Sequence, residues 1–209
     1  MKNYETVRVH PIFKRAMSYA EHFAGNLKNL GDSLGRDCFV EALDISATSR
    51  KGFSKRYKND GMKNEDWFTF GAEVLAPVSG KVTSVYVNPI TNTPGSYEQS
   101  KPSSITICRE DGKNILLAHI QDPLLKEGEK VKEGQVIAYG GNNGPSRLPH
   151  VHIGAWKGED CFQIEFDLYK MGELVKEVGE VFYVTGFTEQ EYKEFMMKAS
   201  NKDNVKEKS

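Results

Sequence analysis

Pro149-His150-Val151-His152-Ile153 is the stretch on which the reading of this chain turns. Two histidines flank one valine. In a strand, side chains alternate with a period of two, so both imidazoles leave the same face. A second apolar segment, Leu116-Leu117-Ala118-His119-Ile120, carries another histidine, and these are three of the five in the chain. Imidazole is the commonest protein metal ligand and the commonest general acid or base. A His-x-His strand beside a second histidine-bearing strand is therefore a candidate metal-hydrolase site. The plainer alternative is a set of hydrogen-bonded core histidines.

The residues around this pair predict short strands and tight turns. Residues 125–141 read as turn, strand, turn, strand, with Gly128 and Gly134 at the turns. Asn142-Asn143-Gly144-Pro145-Ser146-Arg147-Leu148 is a loop that delivers the chain to His150. Ser104-Ile105-Thr106-Ile107-Cys108 alternates, Asp111-Gly112 marks a hairpin turn, and residues 114–119 return. Residues 73–87 read as strand, turn, strand, with Pro77 at an edge or a break in pairing. Residues 88–104 hold three prolines and form a long surface loop. The expected fold is mainly β, an antiparallel sandwich or barrel-sandwich hybrid.

The flanks look different. Ile12, Phe13, Ala16, Met17, Ala20 and Phe23 fall on one stripe at three- and four-residue spacing, which predicts a helix from Pro11 that includes His22. Residues 26–36 read as loop. Residues 38–45 form a short apolar strand that carries acids. Asp44, between Leu43 and Ile45, is costly to bury unless it is paired, hydrogen-bonded or bound to a cation. The basic run over 46–66 is a solvated loop or a cleft lining. Residues 178–184 read as a last strand. Thr188-Glu189-Gln190-Glu191 is a capping box, and it predicts a closing helix over 189–199. The expected division is a helical preface over 1–35, a β domain over 36–186, and a helix with a charged tail over 187–209.

The chain has 209 residues, 38% of them hydrophobic, with 19 glycines and a formal net charge of -1. That balance gives no basic field for nucleic acid. No run of about 18 apolar residues is present, so no membrane span is expected. No apolar core follows Met1-Lys2-Asn3-Tyr4-Glu5, so a secretory signal is not read there. The expected compartment is the cytoplasm, or the cell envelope and exterior if a leader was removed. Three cysteines, an odd number, do not make a complete disulfide framework.

Val74-Leu75-Ala76-Pro77-Val78-Ser79-Gly80-Lys81-Val82, Leu117-Ala118-His119-Ile120, Val131-Lys132-Glu133-Gly134-Gln135-Val136-Ile137 and Pro149-His150-Val151-His152 occur in one order and spacing. Together they resemble the lysostaphin-type (LytM-like) zinc metallopeptidases over about residues 36–156. The resemblance implies an antiparallel β fold, the duplicated hybrid motif, with a groove across the sheet. It implies hydrolysis of peptides in bacterial peptidoglycan, with a zinc ion (Zn2+) as cofactor and a peptide as partner. Asp44 and His152 match metal-binding positions. His119 and His150 match the two metal-free histidines that activate water and stabilise the oxyanion. One position departs from the family: Val40 stands where the first ligand histidine is usual, four residues before Asp44. Cys38, Asp37 and Glu41 are substitute donors nearby, Cys38 sharing strand parity with Asp44. His22 is a more distant one, reaching the groove only if its helix folds over it. Two alternatives stand beside a zinc peptidase. One is a degenerate module that binds or activates without stable zinc. The other is a carrier domain that uses His119 or Lys81.

Overall fold

The computed structural model describes residues 4–23, 31–43, 54–96 and 98–177, with 190, 193, 194 and 197 near the C-terminus. Fourteen strands are present among the described residues. They are β1 (Thr6–Val9), β2 (Met17–Glu21), β3 (Arg36–Val40), β4 (Ala42–Leu43), β5 (Ser54–Lys55), β6 (Glu73–Leu75), β7 (Gly80–Tyr86), β8 (Ser104–Cys108), β9 (Asn114–Ala118), β10 (Ile120–Gln121), β11 (Lys130–Val131), β12 (Val136–Gly140), β13 (Val151–Lys157) and β14 (Asp160–Phe166). One helix, α1 (Leu168–Glu177), follows. The protein is mainly β, as the turn spacing predicts.

Nine strands make one sheet in the order β1-β14-β13-β9-β8-β7-β11, with β3 also on β13 and β2 on β3. A second sheet runs β10-β12-β6, and β4 pairs β5. β13 is the hub of the large sheet. One of its edges pairs β9 from His152 to Trp156. Its other edge is shared, β3 taking residues 151–153 and β14 taking 155–157. A single apolar cluster joins Val82, Ile105, Ile107, Leu117 and Ile153 of the large sheet to Val74, Ile120 and Ile137 of the small one. The core thus lies between the two sheets, as expected where each strand buries alternate residues.

The helix predicted from Pro11 is absent. Ile12, Phe13 and Met17 are buried as the stripe requires, but Phe23, on the same stripe, is 88% exposed. The main chain bonds outward instead: Leu75 N donates to Ile12 O at 2.9 Å and Glu41 N to Ala16 O at 2.9 Å. Met17–Glu21 then pairs β3 in antiparallel register. Tertiary pairing has overridden a helical spacing. Residues 6–21, expected as a helical preface, contribute two strands to the main sheet. The ambiguous segment after Phe166 resolves as α1, where Asp167 caps the first turn by accepting from Lys170 N at 3.0 Å. The predicted strand over 178–184 lies outside the described residues. Of the closing helix, Gln190, Lys193, Glu194 and Met197 are described, and all are helical.

Gly154 of β13 sits against the main chain of Gly31, and a Cβ there would overlap the Gly31 carbonyl. Gly172 in α1 faces open space. Gly154→Ala should therefore cost about 1–3 kcal/mol through overpacking. Gly172→Ala should stabilise by up to about 1 kcal/mol through helix propensity. Urea denaturation of the two variants checks both signs.

Candidate metal and catalytic centre

β13 pairs β3 and β9 in a register that lines up three residues across the sheet. His152 stands opposite Asp37 on one side and Ala118 on the other. β3 alternates: Asp37 and Phe39 lie on the face that carries the histidines, while Cys38 and Val40 are fully buried in the core. Phe39 lies 5.6 Å from the His150 ring, centre to centre. His22 directly follows β2, and its N donates to Gly35 O at 2.8 Å, which continues the β2–β3 pairing and brings its imidazole beside Asp37. Gly35 is the cradle for His152, because a Cβ there would collide with the His152 ring.

His119 sits between β9 and β10 with φ of 60°, a left-handed conformation unusual for a residue with a side chain. The kink ends β9, sends the chain into the small sheet, and leaves the His119 ring 4.4 Å from that of His150. His119 Nδ1 donates to Asn143 O at 2.7 Å. His150 Nδ1 lies 2.9 Å from Leu148 O and 3.1 Å from Ser146 Oγ. His119, His150 and His152 are all buried.

The rings of His22 and His152 lie 4.9 Å apart, centre to centre, tilted by 50°, and a carboxylate closes each edge of the pair. On one edge His152 Nδ1 is 3.0 Å from Asp37 Oδ1, and His22 Nε2 is 3.1 Å from Asp37 Oδ2. His150 Nε2 approaches the same Asp37 Oδ1 at 3.5 Å. On the other edge His22 Nδ1 is 3.1 Å from Asp32 Oδ1, and His152 Nε2 is 4.0 Å from it. His152 Nε2 is buried without a hydrogen-bond partner. Burial pushes the Asp37 carboxyl up, but hydrogen bonds from His150, His152 and His22 outweigh it and hold Asp37 well below the usual carboxylate range. His22 is raised to about 9, chiefly by its hydrogen bond to Asp37. His119 is lowered to about 3, chiefly by burial and next by the neighbouring His150.

Two donor sets therefore share His22 and His152, one completed by Asp37 and the other by Asp32. Imidazole nitrogen and carboxylate oxygen are donors that zinc accepts. The orphaned buried nitrogen, His152 Nε2, lies on the Asp32 edge, and a free imidazole lone pair there fits the same chemistry.

The structure brings His119, His150 and His152 together. It does not add Cys38 to them. That thiol is fully buried on the core side of β3, 3.9 Å from Arg36 O, and burial pushes its pKa up. The parity that favoured Cys38 in the sequence is the parity that points it into the core. Val40 is buried in that core too, and Glu41 is tied to Ser18 and Arg56. Asp44 lies outside the described residues. Beside His152 the described residues place His22 and Asp37. A signal for Asp37 was present: Gly35 marks a close backbone approach, and a strand over 36–40 leaves Asp37 and Phe39 on one face. For His22 no local signal existed, because its place depends on β2 pairing β3.

Residues 63–163 match the model of Peptidase family M23. Among curated proteins none matches the chain. Among solved structures, the catalytic domain of the antimicrobial peptidase lysostaphin from Staphylococcus simulans is 19% identical, over 71% of this chain and 88% of that one, with a TM-score of 0.43. A zinc containing peptidase from Vibrio cholerae is 18% identical, over 73% of this chain and 37% of that one, with a TM-score of 0.43. A complex of SpoIIIAH and SpoIIQ matches at 16% identity, over 74% of this chain and 96% of that one, with a TM-score of 0.44.

The two shifted histidines act on stability in different pH windows. His22 binds its proton more tightly folded than unfolded, so its contribution is full below 6.5 and is lost as pH rises through about 9. His119 resists protonation when folded, so its contribution is full above 6.5 and is lost as pH falls toward about 3. Metal-free protein should show a stability maximum near pH 6.5 from this pair. His22→Gln should flatten the alkaline limb and His119→Gln the acid limb, read from urea midpoints against pH.

Proposed function

Taking residues 63–163 as a peptidase family M23 segment, we propose that the protein is a zinc metalloendopeptidase-like hydrolase of peptide bonds in peptidoglycan. The proposed metal donors are His22, Asp37 and His152, and the proposed water-activating pair is His119 and His150. The observation that carries this reading is the meeting of His22 Nε2 and His152 Nδ1 on the two oxygens of Asp37, at 3.1 and 3.0 Å, beside the ring of His150. Asp37 is preferred to Asp32 because its side chain is the less exposed, 27% against 42%, and because it alone borders His150.

Zinc held there supplies Lewis-acid chemistry, polarising a peptide carbonyl and lowering the pKa of water. The chain's own groups do the rest. His119 and His150 stand on one wall of the groove and take or hold the proton of the attacking water. The ring that takes this proton then carries an added N–H, which can donate to the charge that develops on the scissile oxygen. Phe39 walls the groove beside His150, and the Arg56 guanidinium covers the Phe39 ring at 4.0 Å. The choice of a cell-wall peptide as substrate follows from the motif resemblance.

The competing reading, a module that binds without cutting, takes its motive from Val40 at the usual histidine position. With His22 as the first histidine donor that motive weakens. Metal analysis and muropeptide digestion separate the two. Purified protein should carry one zinc, and His22→Ala, Asp37→Ala and His152→Ala should each lose it together with cleavage. His119→Ala and His150→Ala should keep zinc and lose on the order of 10²- to 10⁴-fold in kcat. A protein without stoichiometric zinc that cleaves no muropeptide would leave the binding module as the answer.

A further inference from the structure

Residues 141–149, between β12 and β13, make an unusual number of buried polar contacts for a connecting loop. Asn142, Asn143 and Ser146 are 0%, 4% and 1% exposed, and Asn92 of the long loop before β8 is 5% exposed. The Asn143 side chain accepts from Ser103 N at 2.7 Å and donates to Ile120 O at 2.8 Å. Asn92 Nδ2 donates to Gly144 O and Ser146 O, both at 2.8 Å. Ser146 Oγ lies 2.9 Å from Asn142 Oδ1 and 2.8 Å from Leu148 O. Each lost bond would strand a buried polar group, so the network specifies one loop conformation.

That conformation places two main-chain carbonyls against two ring nitrogens. Asn143 O is 2.7 Å from His119 Nδ1, and Leu148 O is 2.9 Å from His150 Nδ1. A carbonyl oxygen can only accept, so each Nδ1 must carry hydrogen. In a neutral imidazole with hydrogen on Nδ1, the lone pair is on Nε2. At His150 the second nitrogen also meets an acceptor, Asp37 Oδ1 at 3.5 Å, so the loop alone decides the tautomer only at His119. Asn143 acts at both ends of the link, its carbonyl holding the His119 ring and its amide holding the backbone at Ile120, one residue beyond.

We propose that Asn143 is a positioning residue that fixes the Nδ1–H form of His119 and so leaves the lone pair on its Nε2. The role in hydrolysis rests on the function proposed above, whereas the tautomer does not. A histidine whose lone pair faced the loop could not take a proton from water in the groove.

The test is a long-range proton–nitrogen correlation spectrum of the histidine rings in full-length, metal-free, 15N-histidine-labelled protein at neutral pH. The proposal expects hydrogen on Nδ1 and none on Nε2 of His119. Asn143→Ala should give His119 a mixed tautomer. In the zinc-loaded protein it should lower kcat on the order of 10- to 100-fold with little change in KM. Should Asn143→Ala fail to fold, the near-isosteric Asn143→Asp keeps the acceptor for Ser103 and removes the donor to Ile120, and the same shift at His119 is expected. Hydrogen on Nε2 alone of His119 in the wild type overturns the proposal. So does a variant whose urea midpoint drops while its tautomers and kcat stay unchanged, which is the mark of a purely structural network. If wild-type protein shows the expected tautomers but cleaves no peptide, the hydrolase reading fails and the positioning role of the loop stands.

Discussion

Asp37 meets His152 because β3 and β13 pair in one register and no other. That register is set from the opposite face of the strands. Cys38 and Val40 of β3 and Val151 and Ile153 of β13 are fully buried. Burying each valine or isoleucine contributes about 1.5–3 kcal/mol, against about 1 kcal/mol net for a hydrogen bond. A slip of one residue would turn Cys38 and Val40 toward the groove and Asp37 toward the core. No set of bonds among site residues could offset that loss. The core thus decides where the carboxylate points, and the site takes its geometry from packing that touches none of its polar atoms.

Packing does not explain why so many titratable groups were gathered on the other face. Four imidazoles and two carboxylates gather in space beside β3 and β13, with Asp37 approached by three rings at once. Partly buried ionic clusters of this kind are at best weakly stabilising, since desolvation opposes their mutual attraction. Here the opposition is visible in single residues: burial raises the Asp37 carboxyl while its partners lower it, and His119 is driven toward the neutral form. Strongly shifted groups concentrated in one groove are the expected signature of a functional site.

Much of this was legible in the sequence because two of its signals are local. The His-x-His period places His150 and His152 on one face wherever the strand lies. The turn residues at Asp111-Gly112, Gly128 and Gly134 bound the strands that the structure contains. The site residues from early in the chain, His22 and Asp37, were less legible, because their positions depend on pairing between distant strands. His22 reaches Asp37 only through the β2–β3 register, and the apolar spacing of residues 12–17 belongs equally to an irregular segment whose carbonyls bond β6 and Glu41. Cys38 took its expected facing from shared parity with Asp44, whereas in β3 Asp37 is the residue beside His152.

His119 joins these levels in one residue. Its φ of 60° costs a residue with a Cβ about 1–2 kcal/mol, and glycine would adopt the same conformation freely. The kink itself serves the fold, since it passes the chain from the large sheet to the small one, but that purpose needs no side chain. The imidazole is what glycine could not supply. It is buried against His150, held at Nδ1 by the loop before β13, and shielded from protonation by its surroundings. The strain is maintained by Gly141 N, which donates to His119 O at 3.0 Å, and by Asn143 on Ile120 O. Backbone strain at a residue whose side chain faces a groove, supported from a neighbouring loop, is stability given up for the position of one nitrogen.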